Sequence, residues 1–138
     1  MVGFVDRLIF FPPSSSYDEH APGLLRLQSE ARDEIAAFHH ETPGAGITVL
    51  FAHGNAEDLG HGTGHAERYA QLGVSVLSFE YPGYGLSSGK PTEPGTYAAA
   101  DAAYRYLREH PEIFMPSDKE PNYFVRSLRS ASEEKGEV

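Results

Sequence analysis

Hydrophobic and polar positions along the chain alternate between short β-rich runs and helical runs, the pattern of an α/β fold built on a mostly parallel sheet with helices on its faces. Leu8–Phe11 is a first short run, ending at the turn formers Pro12-Pro13-Ser14-Ser15-Ser16. Leu24–Gln28 and Ile35–His39 read as two strands around the polar turn Ser29–Asp33, an N-terminal antiparallel hairpin. Ile47–Ala52 is a continuous apolar run between Gly44-Ala45-Gly46 and His53-Gly54, as expected of a strand buried on both faces. Val74–Phe79 is the next strand, so Glu57–Leu72 must hold a crossover helix. Gly60, Gly62 and Gly64 would each cost about 1 kcal/mol inside it. The spacing therefore predicts a helix from about His65, stopped by Gly73. Tyr97, Ala100, Tyr104 and Leu107 fall at i, i+3, i+7 and i+10 and predict one apolar stripe on a second helix, between Pro94 and Pro111. Asn122–Val125 reads as a third parallel strand, and Ser130–Val138 as a polar, frayed end.

Composition narrows the class of partner. The 138 residues suit one domain. With 11 basic against 20 acidic residues the net charge is −9, and the basic residues are scattered from Arg7 to Lys135, which argues against nucleic acid or an anionic membrane surface. No cysteine is present, so disulfides, thiolate metal sites and a cysteine nucleophile are excluded, and a reducing, cytoplasmic setting is expected. The uncharged stretch Leu8–Tyr17 is broken by Pro12 and Pro13 and reads neither as a signal peptide nor as a transmembrane helix.

The glycine-rich stretch Pro82–Thr92 matches three motifs superficially. A phosphate-cradling loop ending at Gly89-Lys90 would need Gly at position 84 and a hydroxyl at 91, where Tyr84 and Pro91 stand. A dinucleotide fingerprint would need its third Gly at Ser88 and an acid about 20 residues on, where Arg105 lies. Gly85-Leu86-Ser87-Ser88-Gly89 satisfies G-x-S-x-G literally, but a nucleophile elbow turns straight from strand into helix, and Pro91, Glu93, Pro94 and Gly95 intervene here. A triad of Ser87, Asp101 and His110 fails on geometry, since nine helical residues place Asp101 and His110 about 180° and about 13.5 Å apart. The stretch reads as a connector. His53, His61 and His65 include an i, i+4 pair, but on a poor helix without a neighbouring Glu, so no metal is expected. His39 and His40, adjacent on a strand, point to opposite faces and read as surface residues. His53-Gly54-Asn55-Ala56, at the end of the best strand, suits equally a ligand-facing loop and an ordinary turn capped by Asn55.

At this loop the sequence resembles the α/β-hydrolase superfamily. The residues that carry the resemblance are Thr48–Gly60, containing His53-Gly54-Asn55-Ala56-Glu57-Asp58, and Ser78–Glu93, containing Tyr81-Pro82-Gly83-Tyr84-Gly85. They look most like the branch of depalmitoylating and serine-aminopeptidase-like members, over about residues 8–116. The resemblance implies that the backbone amide of Asn55, with Ala56 beside it, serves an oxyanion hole, and that Tyr81–Ser88 is structural. It also maps a nucleophile to Ser127 and a second oxyanion amide to Leu128. Both flanking glycines of that turn are replaced, by Val125 and Arg129, and no histidine follows His110. The implied activity is hydrolysis of an ester, thioester or amide of a small acyl substrate through an acyl-enzyme, without cofactor or metal. For this chain the expectation is a truncated domain with a core at 8–116 and a degenerate elbow region at 117–138, turning over weakly or not at all. The alternative is a non-catalytic binding or assembly module that self-associates through an exposed sheet edge.

Overall fold

The computed structural model describes residues 3–114. In chain order the elements are α1 (Phe4–Ile9), β1 (Leu24–Gln28), β2 (Glu34–His40), β3 (Thr48–Ala52), α2 (Thr63–Gln71), β4 (Ser75–Phe79), α3 (Glu93–Glu109) and α4 (Pro111–Phe114). The hairpin forms as expected. Its turn is closed by the Ser29 amide donating to the Asp33 carbonyl at 2.9 Å and the Asp33 amide donating to the Ser29 hydroxyl at 3.1 Å. The four strands run in the order β1-β2-β4-β3. β1 pairs antiparallel with β2, β2 antiparallel with β4, and β3 parallel with β4 from Thr48↔Ser75 to Ala52↔Phe79. The described sheet is thus mixed, with β3–β4 its one parallel pairing because β2 runs antiparallel to β4; the strand expected at Asn122–Val125 lies outside the described residues. So do Ser127, Leu128 and the 130–138 tail.

β4 lies centrally and all five of its residues are buried. Ile47–Ala52 was expected to be buried on both faces. Instead β3 stands at the edge of the described sheet, with Val49, Leu50 and Phe51 only partly covered and Ala52 exposed. Of Leu8–Phe11, expected as a β-rich run, Leu8 and Ile9 form the end of α1, and Phe10 caps it in an extended conformation. The Asp6 carboxylate accepts the Gly3 amide at 2.7 Å and the Asp6 carbonyl accepts the Phe10 amide at 2.9 Å, which closes the short helix before Pro12. His39 and His40 are half-buried, not surface residues. They lie beyond the hairpin pairing but opposite Leu77 and Val76 of β4, and burial holds both pKa values below the ordinary histidine value.

α3 covers one sheet face. Thr92 caps it, its hydroxyl accepting the Gly95 amide at 3.1 Å. The apolar stripe expected at Tyr97, Ala100, Tyr104 and Leu107 is displaced: the buried face is Gly95, Ala99, Ala102, Ala103 and Leu107, whereas Tyr97 is 62% exposed and hydrogen-bonded to Glu93. Small residues let α3 approach the sheet closely, so Ala99, Ala102 and Ala103 meet Leu27, Ile35, Ala37, Leu77 and Phe79 in one cluster. Of the helix's aromatic residues, Tyr106 packs, partly buried, against that cluster, whereas Tyr97 stays outside it. No helix of the described residues is long and apolar enough to cross a membrane.

The seam predicts an asymmetric response to substitution. Ala103→Leu should overpack it and lower stability by about 1–3 kcal/mol, whereas Tyr97→Ala should stay within about 0.5 kcal/mol of the parent. Urea unfolding followed by circular dichroism compares the two.

Candidate active site

β3 and β4 end side by side, and their carboxyl ends place His53 and Glu80 in contact. Both side chains are buried, and His53 Nε2 lies 2.7 Å from Glu80 Oε2. His53 Nδ1 faces the Gly54 carbonyl at 2.8 Å. Both ring nitrogens therefore face oxygen atoms, an arrangement that favours the imidazolium, which can donate to both. Burial alone would lower the His53 pKa, but the bond to Glu80, the Gly54 carbonyl and the charges of Glu80 and Glu57 outweigh it and hold it above the ordinary value.

Glu80 gathers the surrounding loops. Its Oε1 accepts the Leu59 amide at 2.8 Å and the Tyr17 hydroxyl at 2.9 Å, and that hydroxyl accepts the Leu86 amide at 3.2 Å. Burial, reinforced by the Glu80 charge and opposed by the Leu86 amide, raises the Tyr17 pKa, so the phenol stays protonated and donates. Gly85, at φ 50, passes so close that a Cβ there would collide with Glu80 Oε1 and the Tyr17 hydroxyl. A second buried carboxylate, Asp58, accepts the Ser16 amide at 2.6 Å and the Ser16 hydroxyl at 2.5 Å, and His61 Nδ1 stands 2.8 Å from it. Burial would raise its pKa; the Ser16 and His61 contacts prevail and lower it. Two buried acids thus bind the arm at Ser16–Tyr17 to the loop after β3.

These anchors fix the turn His53-Gly54-Asn55-Ala56. The Tyr81 hydroxyl donates to the His53 carbonyl at 2.5 Å, with its ring against the His53 ring at 4.5 Å. Asn55 Oδ1 accepts from the Tyr84 hydroxyl at 2.6 Å and from the amides of Ala56 and Phe11 at 3.1 Å each. Ala56 sits at φ 63, a left-handed conformation that costs a residue with a Cβ about 1–3 kcal/mol. No described residue accepts the Asn55 amide. Asn55 opens onto a cavity of about 260 Å³ lined by Ile9, Phe10, Tyr81, Tyr84 and Thr96.

The other sequence candidates fall elsewhere. The Ser87 hydroxyl accepts the Ala36 amide at 2.9 Å and the Ser88 hydroxyl accepts the Glu34 amide at 2.8 Å, so this loop borders β2. Asp101 is exposed, and His110 caps α3 with Nδ1 on the Tyr106 carbonyl at 2.8 Å. His65 packs on Phe51, and no group of three metal-ligating side chains occurs among the described residues. Sequence reasoning missed Glu80 and Tyr17. The one signal available was a lone Glu directly after the strand Val74–Phe79, which carries no ionisable residue of its own.

A mixed sheet in this order, followed by a His-Gly turn at the end of the first parallel strand, is an α/β-hydrolase fold. The esterase Pf2001 of Pyrococcus furiosus superposes at a TM-score of 0.62 with 21% identity, over 75% of this chain and 44% of that one. An α/β serine hydrolase homologue from Coxiella burnetii does so at 0.54 with 19% identity, over 72% and 50%. In sequence, the chain is similar to alpha/beta hydrolase domain-containing protein 17B of Homo sapiens, 44% identical over 96 residues, 68% of this chain and 33% of that protein. Protein 17C of Xenopus tropicalis is 46% identical over 71 residues, 49% and 22%. The chain thus spans a third or less of the length of these relatives. No family model matches it.

The buried pair predicts a pH signature. A histidine whose pKa rises on folding stabilises the fold fully below its unfolded value, about 6.5, and that contribution is lost as pH rises through the folded value. Asp58, lowered on folding, contributes above its unfolded value and loses that contribution in acid. Glu80→Gln should lower stability by about 3–5 kcal/mol at pH 6 and remove the decline above about pH 6.5 that belongs to His53. His39 and His40, lowered by burial, act in the opposite sense but equally in both proteins. Urea midpoints from pH 5 to 9 read the difference, and parallel profiles would contradict the charged pair.

Proposed function

We propose that the chain carries the oxyanion-binding half of a serine hydrolase site acting on an ester, thioester or amide of a small acyl substrate. The observation that carries this reading is the turn at residues 53–56. It leaves the amide of Asn55, a residue that lines a cavity, without an acceptor among the described residues, and holds Ala56 in a strained conformation. Of the two amides that the family resemblance offers, Asn55 is the better donor, because the Ala56 amide is already held by Asn55 Oδ1. Backbone N–H groups fixed before substrate arrives stabilise a tetrahedral oxyanion without reorganising at the moment of reaction. Ser127 is assigned as the nucleophile and Leu128 as the second amide, by resemblance. A serine nucleophile of this kind is activated by an adjacent general base, and the reading assigns none. A cytoplasmic location, expected from the cysteine-free composition, is part of the same proposal.

The second reading, a binding or assembly module, is favoured by the exposed apolar residues of the N-terminal segment: Phe4, Val5, Leu8, Ile9 and Phe11 are each more than half exposed. Labelling with a fluorophosphonate probe separates the two. The hydrolase reading expects slow covalent labelling that Ser127→Ala abolishes. Equal labelling of both proteins, or none together with concentration-dependent association in sedimentation velocity, favours the module.

A further inference from the structure

α1 buries none of its residues, yet polar contacts fix its carboxyl end firmly. Asn55 grips the chain on both sides of Phe10: its Nδ2 donates to the Ile9 carbonyl at 2.5 Å and its Oδ1 accepts the Phe11 amide, which also meets the Tyr84 hydroxyl at 3.1 Å. Phe10, half-buried between these bonds, is a wall common to two cavities. One is the cavity of about 260 Å³ at Asn55, whose other lining residues are Ile9, Tyr81, Tyr84 and Thr96. The second, about 350 Å³, is lined by Asp6, Arg7, Phe10, Lys90 and Pro91.

The two cavities differ in chemistry. The first is walled by aromatic and aliphatic side chains. The second brings together two cations in a chain of net charge −9. Neither Arg7 nor Lys90 makes an ion pair among the described residues, although Arg26 and Arg105 do. Among the lining residues the one acid is Asp6, whose carboxylate accepts the Gly3 amide at the start of α1. The two cations outnumber the one carboxylate of this lining, and an anion between them gains charge-assisted hydrogen bonds and relieves their mutual repulsion.

We propose that Arg7 and Lys90 bind the anionic head, phosphate or carboxylate, of a monomeric single-chain amphiphile whose apolar part runs past Phe10 along Ile9, Tyr81 and Tyr84. This deepens the proposed function, on which it rests for placing a reacting bond near Asn55. Binding itself requires no catalysis. Arg7 and Lys90 are specificity-determining residues in this scheme, and α1 is the wall that joins head site to chain site.

Calorimetric titration of the 138-residue chain with decyl phosphate below its micellar concentration tests the proposal, at low salt because exposed charges are screened beyond about 10 Å at 0.1 M. One-site binding is expected, weakened about tenfold or more in an Arg7→Gln/Lys90→Gln double variant of unchanged circular dichroism. Decyl maltoside should bind more weakly, and equally to both proteins, and inorganic phosphate should bind more weakly than decyl phosphate. Undiminished affinity of the double variant overturns the proposal, as does maltoside or inorganic phosphate binding as tightly as decyl phosphate. Capture on phosphatidic acid vesicles without binding of monomeric decyl phosphate also overturns it, since the source is then a bilayer. Fluorophosphonate labelling of Ser127 is independent: binding without labelling sinks the hydrolase reading alone, and labelling without charge-dependent binding sinks this one alone.

Discussion

The His53–Glu80 contact is the constraint on which the rest of this structure depends. An ionised pair shut away from water is weak evidence of net stability, because desolvating both charges offsets much of their attraction. Its value here is geometric. Glu80 accepts from the strand beside it through His53, from the loop after β3 through Leu59, and from the N-terminal arm through Tyr17. An apolar pair of similar volume would fill the same space but join none of these segments. Tyr17 passes the constraint to Leu86 in the loop after β4, and the near approach of Gly85 admits no side chain larger than its own.

The His-Gly turn inherits its rigidity from that lattice. Asn55 commits its side chain to Ile9, Phe11, Tyr84 and the neighbouring Ala56 amide, while its own backbone N–H has no acceptor among the described residues. Ala56 pays for the arrangement with a left-handed φ of 63. Strain of this kind persists only where the surroundings over-determine the backbone, and the buried acids Glu80 and Asp58 on either side of the loop supply that over-determination. The family likeness alone points to the turn. The polar lattice explains why it holds its shape.

Much of this fold is legible in the sequence, and the failures have identifiable causes. The hairpin, the β3–α2–β4 crossover and the stop at Gly73 follow from local periodicity and turn chemistry, which tertiary contacts do not override. The α3 stripe misleads because periodicity weighs Tyr97 and Tyr104 as strongly apolar, whereas the close seam selects Gly95, Ala99 and Ala103 by size. β3 reads as doubly buried from composition, but burial depends on neighbours that a single run of residues does not specify. Of the candidate site, the turn at 53–56 is visible as a glycine-bearing loop at a strand end. The partnership of Glu80 with His53 and Tyr17 is not, because it joins positions 27 and 63 residues apart through polar contacts that leave no period in the sequence.

α1 shows the same separation between fold and site. It adds nothing to the core: none of its residues is buried, and four of its six are exposed apolar side chains. A segment held only for stability would turn those side chains inward, since burying each would contribute about 1.5–3 kcal/mol. Instead the chain is pinned through backbone groups, the Ile9 carbonyl and the Phe11 amide, by Asn55, which itself lines the cavity. Displacing α1 would therefore cost the core little but would release Asn55 from two of its partners. The position of the candidate oxyanion donor is thus coupled to the N-terminal segment more tightly than the stability of the sheet is, and that segment belongs to the site, not to the scaffold.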